Sequence, residues 1–282
     1  IPDGWELFSA YYGLLENDLW EDRYWILKAP EDTALFKATH GLTQESFEAL
    51  QSEWKQLLLR ARNERGAPLR DHKLITSWNA LLVSGYAEAY NAFGDSRYLE
   101  AATQLYELIS AQAPEELRHI YKAGEATPVF TQDYVLLSQA ALALYFSTNN
   151  SFYLDAAENN MTYLNSRFYH AEKSAYAFGD TAELMAPLYV FSDGVMPSDN
   201  GVAAQVNFLI GHIKFNSEAT KKAAQTMQNA QAFVSSDLEN YTQLGQVYLY
   251  ELYPYFELAI LGPQAFDFAK KINQLGLPNV LV

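Results

Sequence analysis

Three aspartates, Asp71, Asp133 and Asp193, each stand in a polar cluster just before, or at the start of, an apolar stretch. Carboxylates gathered at one cavity mouth can do general acid and base work when burial or mutual repulsion raises one pKa. The first cluster, Arg70-Asp71-His72-Lys73-Leu74-Ile75-Thr76-Ser77-Trp78-Asn79, crowds four ionisable side chains, a tryptophan and an amide into ten positions. The second is Thr131-Gln132-Asp133-Tyr134, and the third runs from Asp193 through Ser198, Asp199 and Asn200 to Gly201. In this reading Asp71, Asp133 and Asp193 are the acid/base candidates. Arg70, His72, Lys73, Asn79, Gln132, Ser198 and Asn200 are candidates for contacting ligand oxygens, while Trp78 and Tyr134 would stack on a hydroxylated ring. The competing role is capping: Thr76 or Ser77, Thr131 or Asp133, and Ser198 or Asp199 are good helix N-caps. His40, His72, His119, His170 and His212 lack metal-ligand spacing, and no HExxH, P-loop or GxSxG is present, so neither a metal nor a cofactor is expected. Among the histidines His72 is the functional candidate, and His212, in an apolar stretch, reads as a core residue.

The elements that would carry these clusters alternate in character. Residues 76–93 are apolar on nearly every side, which predicts a helix buried all round, whereas 96–110 set an apolar stripe against Arg97, Glu100, Gln104 and Glu107, as an outer helix does. The pair recurs as 132–146 with 151–165, and again as 199–214 with 217–234; a last apolar helix covers about 239–252. The turns match too, Phe93-Gly94-Asp95 corresponding to Thr148-Asn149-Asn150 and, more weakly, to Phe215-Asn216-Ser217. Return segments 111–130 and 167–198 carry the Gly, Pro and aromatic content of β-hairpins or ordered loops. Upstream, 43–65 follow a helical pattern after Thr43, and a short helix ends near Tyr12.

An inner and an outer layer of helices alternating in this way build an all-α, (α/α) toroid if the hairpins close into a ring, or an open superhelix if they do not. Because inner helices run the same way, their leading segments gather at one mouth, where free N–H groups and dipoles favour anions and hydroxyl-rich ligands. Residues 256–282 break the pattern as strand, helix and strand, a βαβ tail with a parallel pair. The sequence therefore divides into a toroid domain, 1–255, and a tail, 256–282.

Composition narrows the function classes. With 34 acidic against 19 basic side chains and a net charge of -15, the chain repels phosphate backbones and anionic lipids, so neither nucleic acid nor membrane is an expected partner. The absence of cysteine excludes disulfides and thiol chemistry within it. No apolar run approaches the roughly 20 residues of a membrane-spanning helix. Starting at Ile1 rather than methionine, the sequence reads as part of a longer protein, with a cytoplasmic location as the expectation.

The clusters also resemble a known family, in which an N-terminal thioredoxin-like domain is fused to a six-hairpin toroid and whose animal members are called spermatogenesis-associated proteins. Its Arg-Asp-Asp-Lys-x-x-Thr-Ser-Trp-Asn-Gly is similar to Arg70 through Ala80, its Asp-Asp-Tyr-Ala to Gln132 through Val135, and its Asp-Gly-x-x-Pro-Ser-Gly-Asn to Asp193 through Asn200. His72 stands where the family has an acid, and Ala80 and Asp199 where it has glycines. The resemblance implies that the chain is the C-terminal helical part of such a protein, with an upstream thioredoxin-like domain as partner, and a fold like that of N-acylglucosamine 2-epimerases and six-hairpin glycosidases. It further implies a sugar-like small-molecule ligand and a sugar epimerase, isomerase or glycoside-processing enzyme. The alternative is a non-catalytic helical scaffold.

Overall fold

A computed structural model describes residues 4–15, 19–30, 32–112, 116–121, 127–180, 186–277 and 279–282. It forms two compact units, Ile1–Asp71 and His72–Val282. The sequence division at 255 does not coincide with this boundary, because the βαβ tail lines a cavity with the inner helices and belongs to the second unit.

The first unit holds α1 (Trp5–Tyr11), α2 (Thr33–Thr39) and α3 (Gln44–Asn63). Thr43 accepts from the Ser46 amide and so starts α3, as the sequence indicates; α2, begun by an Asp32 cap on Leu35, lacks any such signal in its apolar pattern. Phe8, Tyr11, Leu14, Phe47 and Trp54 form its core.

The second unit alternates inner and outer helices. β1 (Leu74–Ile75) leads into inner α4 (Thr76–Phe93), followed by outer α5 (Ser96–Ala111) and β2 (Ile120–Tyr121). Inner α6 (Thr131–Thr148), outer α7 (Ser151–Arg167) and the strands β3 (Tyr169–His170) and β4 (Ala175–Tyr176) come next. Inner α8 (Asp199–Ile213), outer α9 (Ser217–Ser236), a 3-10 turn at Leu238–Asn240 and inner α10 (Thr242–Leu252) complete the layers. The tail is β5 (Phe256–Glu257), α11 (Ala265–Asn273) and β6 (Val280–Leu281), with β5 and β6 parallel as expected. The predicted strands at both ends of the tail are shorter than the sequence suggests.

The inner helices pack in the order α4, α6, α8, α10. Val83, Leu136, Leu144, Val206 and Ile210 are fully buried among them and their outer partners. α6 has an inner neighbour on each side and is buried nearly all round. α4 is not, contrary to the sequence reading: it has α6 on one side only, and Trp78 and Leu82 are exposed.

The matching turns follow one chemistry. Gly94 and Asn149 close α4 and α6 in the left-handed conformation that these two residue types tolerate, with φ 72° and 55°. Asp95, Asn150 and Asn216 then cap the outer helices by accepting from the amides of Arg97, Phe152 and Ala219. The return segments differ from simple hairpins: β3 pairs with β4 locally, but β2 pairs antiparallel with β1, whose paired residues lie 45 and 47 positions upstream, placing Ile75 opposite Ile120 and Leu74 opposite Tyr121.

Candidate acid/base site

Asp133, on the first turn of α6, is fully buried and takes hydrogen bonds from three directions. Its Oδ1 accepts from the Ser77 amide at 3.2 Å and its Oδ2 from the Phe130 amide at 3.0 Å, while His119 Nδ1 lies 3.0 and 3.1 Å from the two oxygens. The Phe130 bond is a capping interaction for α6, and the Ser77 bond ties in the first turn of α4. His119 reaches the carboxylate from the segment leading into β2, and its side chain remains a quarter exposed. The Asp133 hydrogen bond raises the His119 pKa, outweighing the opposing effect of partial burial. Sequence spacing gave no reason to select His119, because its partner is brought to it by tertiary pairing.

The second missed residue is Asp199. It opens α8 and is 1% exposed, yet among the described residues neither carboxylate oxygen has a hydrogen-bond partner. Burial pushes its pKa up to about 7; the Gln132 amide nearby pulls it down, without bonding geometry, and neighbouring Asp133 pushes it further up. Ser77 Oγ is buried and likewise without a partner; Ser198 Oγ, also buried, lies close enough to the Asp193 carboxylate to help lower its pKa, outside hydrogen-bond geometry. The starts of α4 and α8 therefore hold buried polar groups that lack hydrogen-bond partners among the described residues, whereas Asp133 at the start of α6 is fully bonded.

Asp193 behaves differently. Its Oδ1 accepts from the Ser198 amide at 2.9 Å, and its Oδ2 from Thr242 Oγ1 at 2.9 Å and the Gln243 amide at 2.8 Å. Burial alone would raise its pKa, but these bonds together hold it below the usual carboxylate range. It is a clamp between the starts of α8 and α10. Asn200 is also a structural tie: its Oδ1 accepts from the Tyr176 amide, and its Nδ2 donates to the carbonyls of Tyr176 and Val190. Its amide leaves little capacity for a ligand, in contrast to the oxygen contact expected from the sequence.

Tyr134 does not form an open stacking platform. It is 4% exposed, lies on Tyr163 with ring centroids 4.4 Å apart, and its hydroxyl accepts from the Leu117 amide. Trp78 is 61% exposed, and Asn79 Nδ2 donates to the Ile75 carbonyl at the α4 start. Gln132 is half-buried beside Asp199, and Ser198 is buried. His72 and Lys73 are exposed ahead of β1 in the second unit; Arg70 and Asp71 are exposed residues of the first. Among the described residues no cluster of His, Asp and Glu has the makings of a metal site.

Thr76 and Thr131 are not the caps they resemble. Each donates through N–H and Oγ1 to consecutive carbonyls of a return segment: Thr76 to His119 and Arg118, Thr131 to Phe178 and Ala177.

No family model matches the chain. It is 28% identical over 190 residues to human spermatogenesis-associated protein 20 and 25% identical over 189 residues to an uncharacterised Caenorhabditis elegans protein, covering 60% and 63% of this chain. It spans about a quarter of the length of these relatives, 24% and 26%. Among solved structures, the GH76 α-mannanase of Bacteroides thetaiotaomicron superposes with a TM-score of 0.55 at 11% identity, over 80% of this chain and 68% of that one. No helix among the described residues is long and apolar enough to cross a membrane. The chain thus has the α/α-toroid fold found in carbohydrate-active enzymes, and its sequence is similar to that of the spermatogenesis-associated proteins.

Proposed function

We propose that the chain carries the acid/base centre of a carbohydrate-active toroid enzyme, a sugar epimerase, isomerase or glycoside-processing activity, at the starts of its inner helices. The carrying observation is the contrast between two neighbouring aspartates, Asp133 with its full set of donors and Asp199 buried with none. Carboxyl groups whose surroundings differ in this way take opposite roles in proton transfer. Asp199, with a pKa of about 7, holds a proton near neutrality and can donate it. His119, with its Nδ1 proton directed at Asp133 and its side chain a quarter exposed, would use Nε2 to take a proton from substrate. Ser77 and Ser198 hydroxyls would bond substrate oxygens once the site opens around them. Of the three aspartates suggested by sequence, only Asp133 enters this reading, with Asp193 as a clamp.

The assay is incubation of the chain with aldoses and oligosaccharides in deuterium oxide, followed by NMR. Deuterium entering at the carbon beside the carbonyl identifies an epimerase or isomerase, and new reducing ends identify a glycosidase. Both signals should vanish in His119→Gln and Asp199→Asn. No signal from any sugar, together with no thermal shift, refutes the reading. A second reading, a helical scaffold in a thioredoxin-fused protein, draws on the structural bonding of Asp193 and Asn200, and it predicts that negative result.

A further inference from the structure

A cavity of about 450 Å³ opens at the other end of the inner helices. It begins on α6 at Gln139, six residues or about 9 Å along the helix from Asp133, and continues to Phe146. α4 contributes Ser84, Glu88 and Asn91, and the tail closes the far side with Asn273, Leu277 and Leu281. Neither Asp133, Asp199 nor His119 lines it. Between it and the mouth lies a relay of amides in which Gln139 and Gln243 both donate to Gln205 Oε1, and Gln205 Nε2 donates to the Tyr250 hydroxyl. The volume lies within the range of small-molecule sites, about 300–1,000 Å³.

Its chemistry favours a ligand rich in hydrogen-bond donors. Among the described residues Glu88 is the only charged side chain in the lining and makes no ion pair, and it is exposed. The protein around it raises its pKa, burial being the main cause and an Asn91 hydrogen bond opposing. Asn273 Nδ2 is committed to the Phe146 carbonyl and Gln139 Nε2 to Gln205, so that what these two lining amides have to offer a ligand is chiefly their acceptor oxygens. The cavity also lies toward the C-terminal ends of α4, α6 and α8, where helix dipoles favour positive charge. Phe146, Tyr250 and Tyr255 add ring faces that attract cations.

We infer that this cavity is a second ligand site, for a small molecule carrying a protonated amine beside hydroxyl groups. Glu88 pairs with the ammonium, and the Gln139 and Asn273 oxygens accept from the hydroxyls. The site is independent of the acid/base reading of the mouth.

Calorimetric titration of the whole chain with glucosamine, glucose and N-acetylglucosamine tests it. Glucosamine should bind about tenfold or more tightly than the two neutral sugars, and Glu88→Gln should remove that advantage. Asp199→Asn should leave it intact, which separates failure here from failure at the mouth. Without any variant, glucosamine should shift the NMR amide signals of Gly276 and Leu281. Equal binding of all three sugars, unchanged glucosamine affinity in Glu88→Gln, or shifts confined to residues near Asp133 would overturn the inference. So would the absence of any glucosamine binding.

Discussion

His119 Nδ1 stands 3.0 Å from Oδ1 and 3.1 Å from Oδ2 of Asp133, so that a partly exposed imidazole covers a carboxylate with no exposure of its own. Replacing His119 by Gln removes a donor from a buried acceptor and should cost about 1–3 kcal/mol. The direction of the pH effect follows from the raised His119 pKa. The charged pair stabilises fully below the unfolded histidine value near 6.5, and this contribution is lost as pH rises through the higher folded value. Denaturant melts should therefore show the largest difference between wild type and His119→Gln near pH 5.5 and a smaller one at pH 8–9.

Asp199 has the opposite kind of cost. Its folded pKa of about 7 lies above the ordinary 3.8, so the folded state loses stability as pH rises between these values and levels off above them. The shift corresponds to about 4 kcal/mol as an upper figure. Asp199→Asn should flatten the pH dependence from 4 to 7 and should melt higher than wild type at pH 8, while abolishing any turnover. A variant less stable than wild type at pH 8 would contradict the unpartnered burial.

For Asp193, a simple N-cap would tolerate Asn, which caps about as well as Asp. The observed carboxylate instead uses both oxygens on two helices, and the amide of Asn offers only one acceptor. Asp193→Asn should cost about 1–2 kcal/mol and Asp193→Ala about 2–4 kcal/mol, measured by urea melts. Hydrogen exchange should rise at Gln243 in both variants.

Close packing of α8 on α9 depends on Gly211. A Cβ there would lie 2.3 Å from Thr220 Oγ1 and 2.9 Å from the Thr220 amide nitrogen. Gly211→Ala should destabilise by about 1–3 kcal/mol, and adding Thr220→Ala should rescue only part of the loss, because the backbone contact persists.

The inner and outer layers were legible because burial leaves a period in the sequence: α6 reads as apolar on every face, and α5 as a stripe. The turns were legible for a local reason, since Gly94 and Asn149 need left-handed backbone and the following Asp or Asn caps the next helix. The site was only partly legible. Asp133 announced itself by position, but His119 sits fourteen residues away in an irregular segment, and only the pairing of β2 with β1 explains its placement. Asp199 looked like a cap because the same residue type suits both roles. What distinguishes them is whether a backbone N–H meets the carboxylate, which no spacing encodes. Trp78 and Leu82 failed in the other direction: their apolar character signals a face awaiting cover, and the second unit supplies α4 with one inner neighbour only.

The threonine clasps have a consequence for how the layers respond to damage. Thr76 grips the segment that leads to α6, Thr131 grips the segment that leads to α8, and Asp193, in that same segment, grips the start of α10. Each hairpin thus holds the entrance of its successor, and neighbours are coupled in series, as in repeat arrays whose stability is a sum of local terms and nearest-neighbour terms. Loss of one clasp loosens a junction, leaving the helices on either side folded but free to change their mutual angle. A mouth assembled from the first turns of successive helices would feel such a change first, so the geometry of the proposed site becomes a property of the joints and not of any single helix.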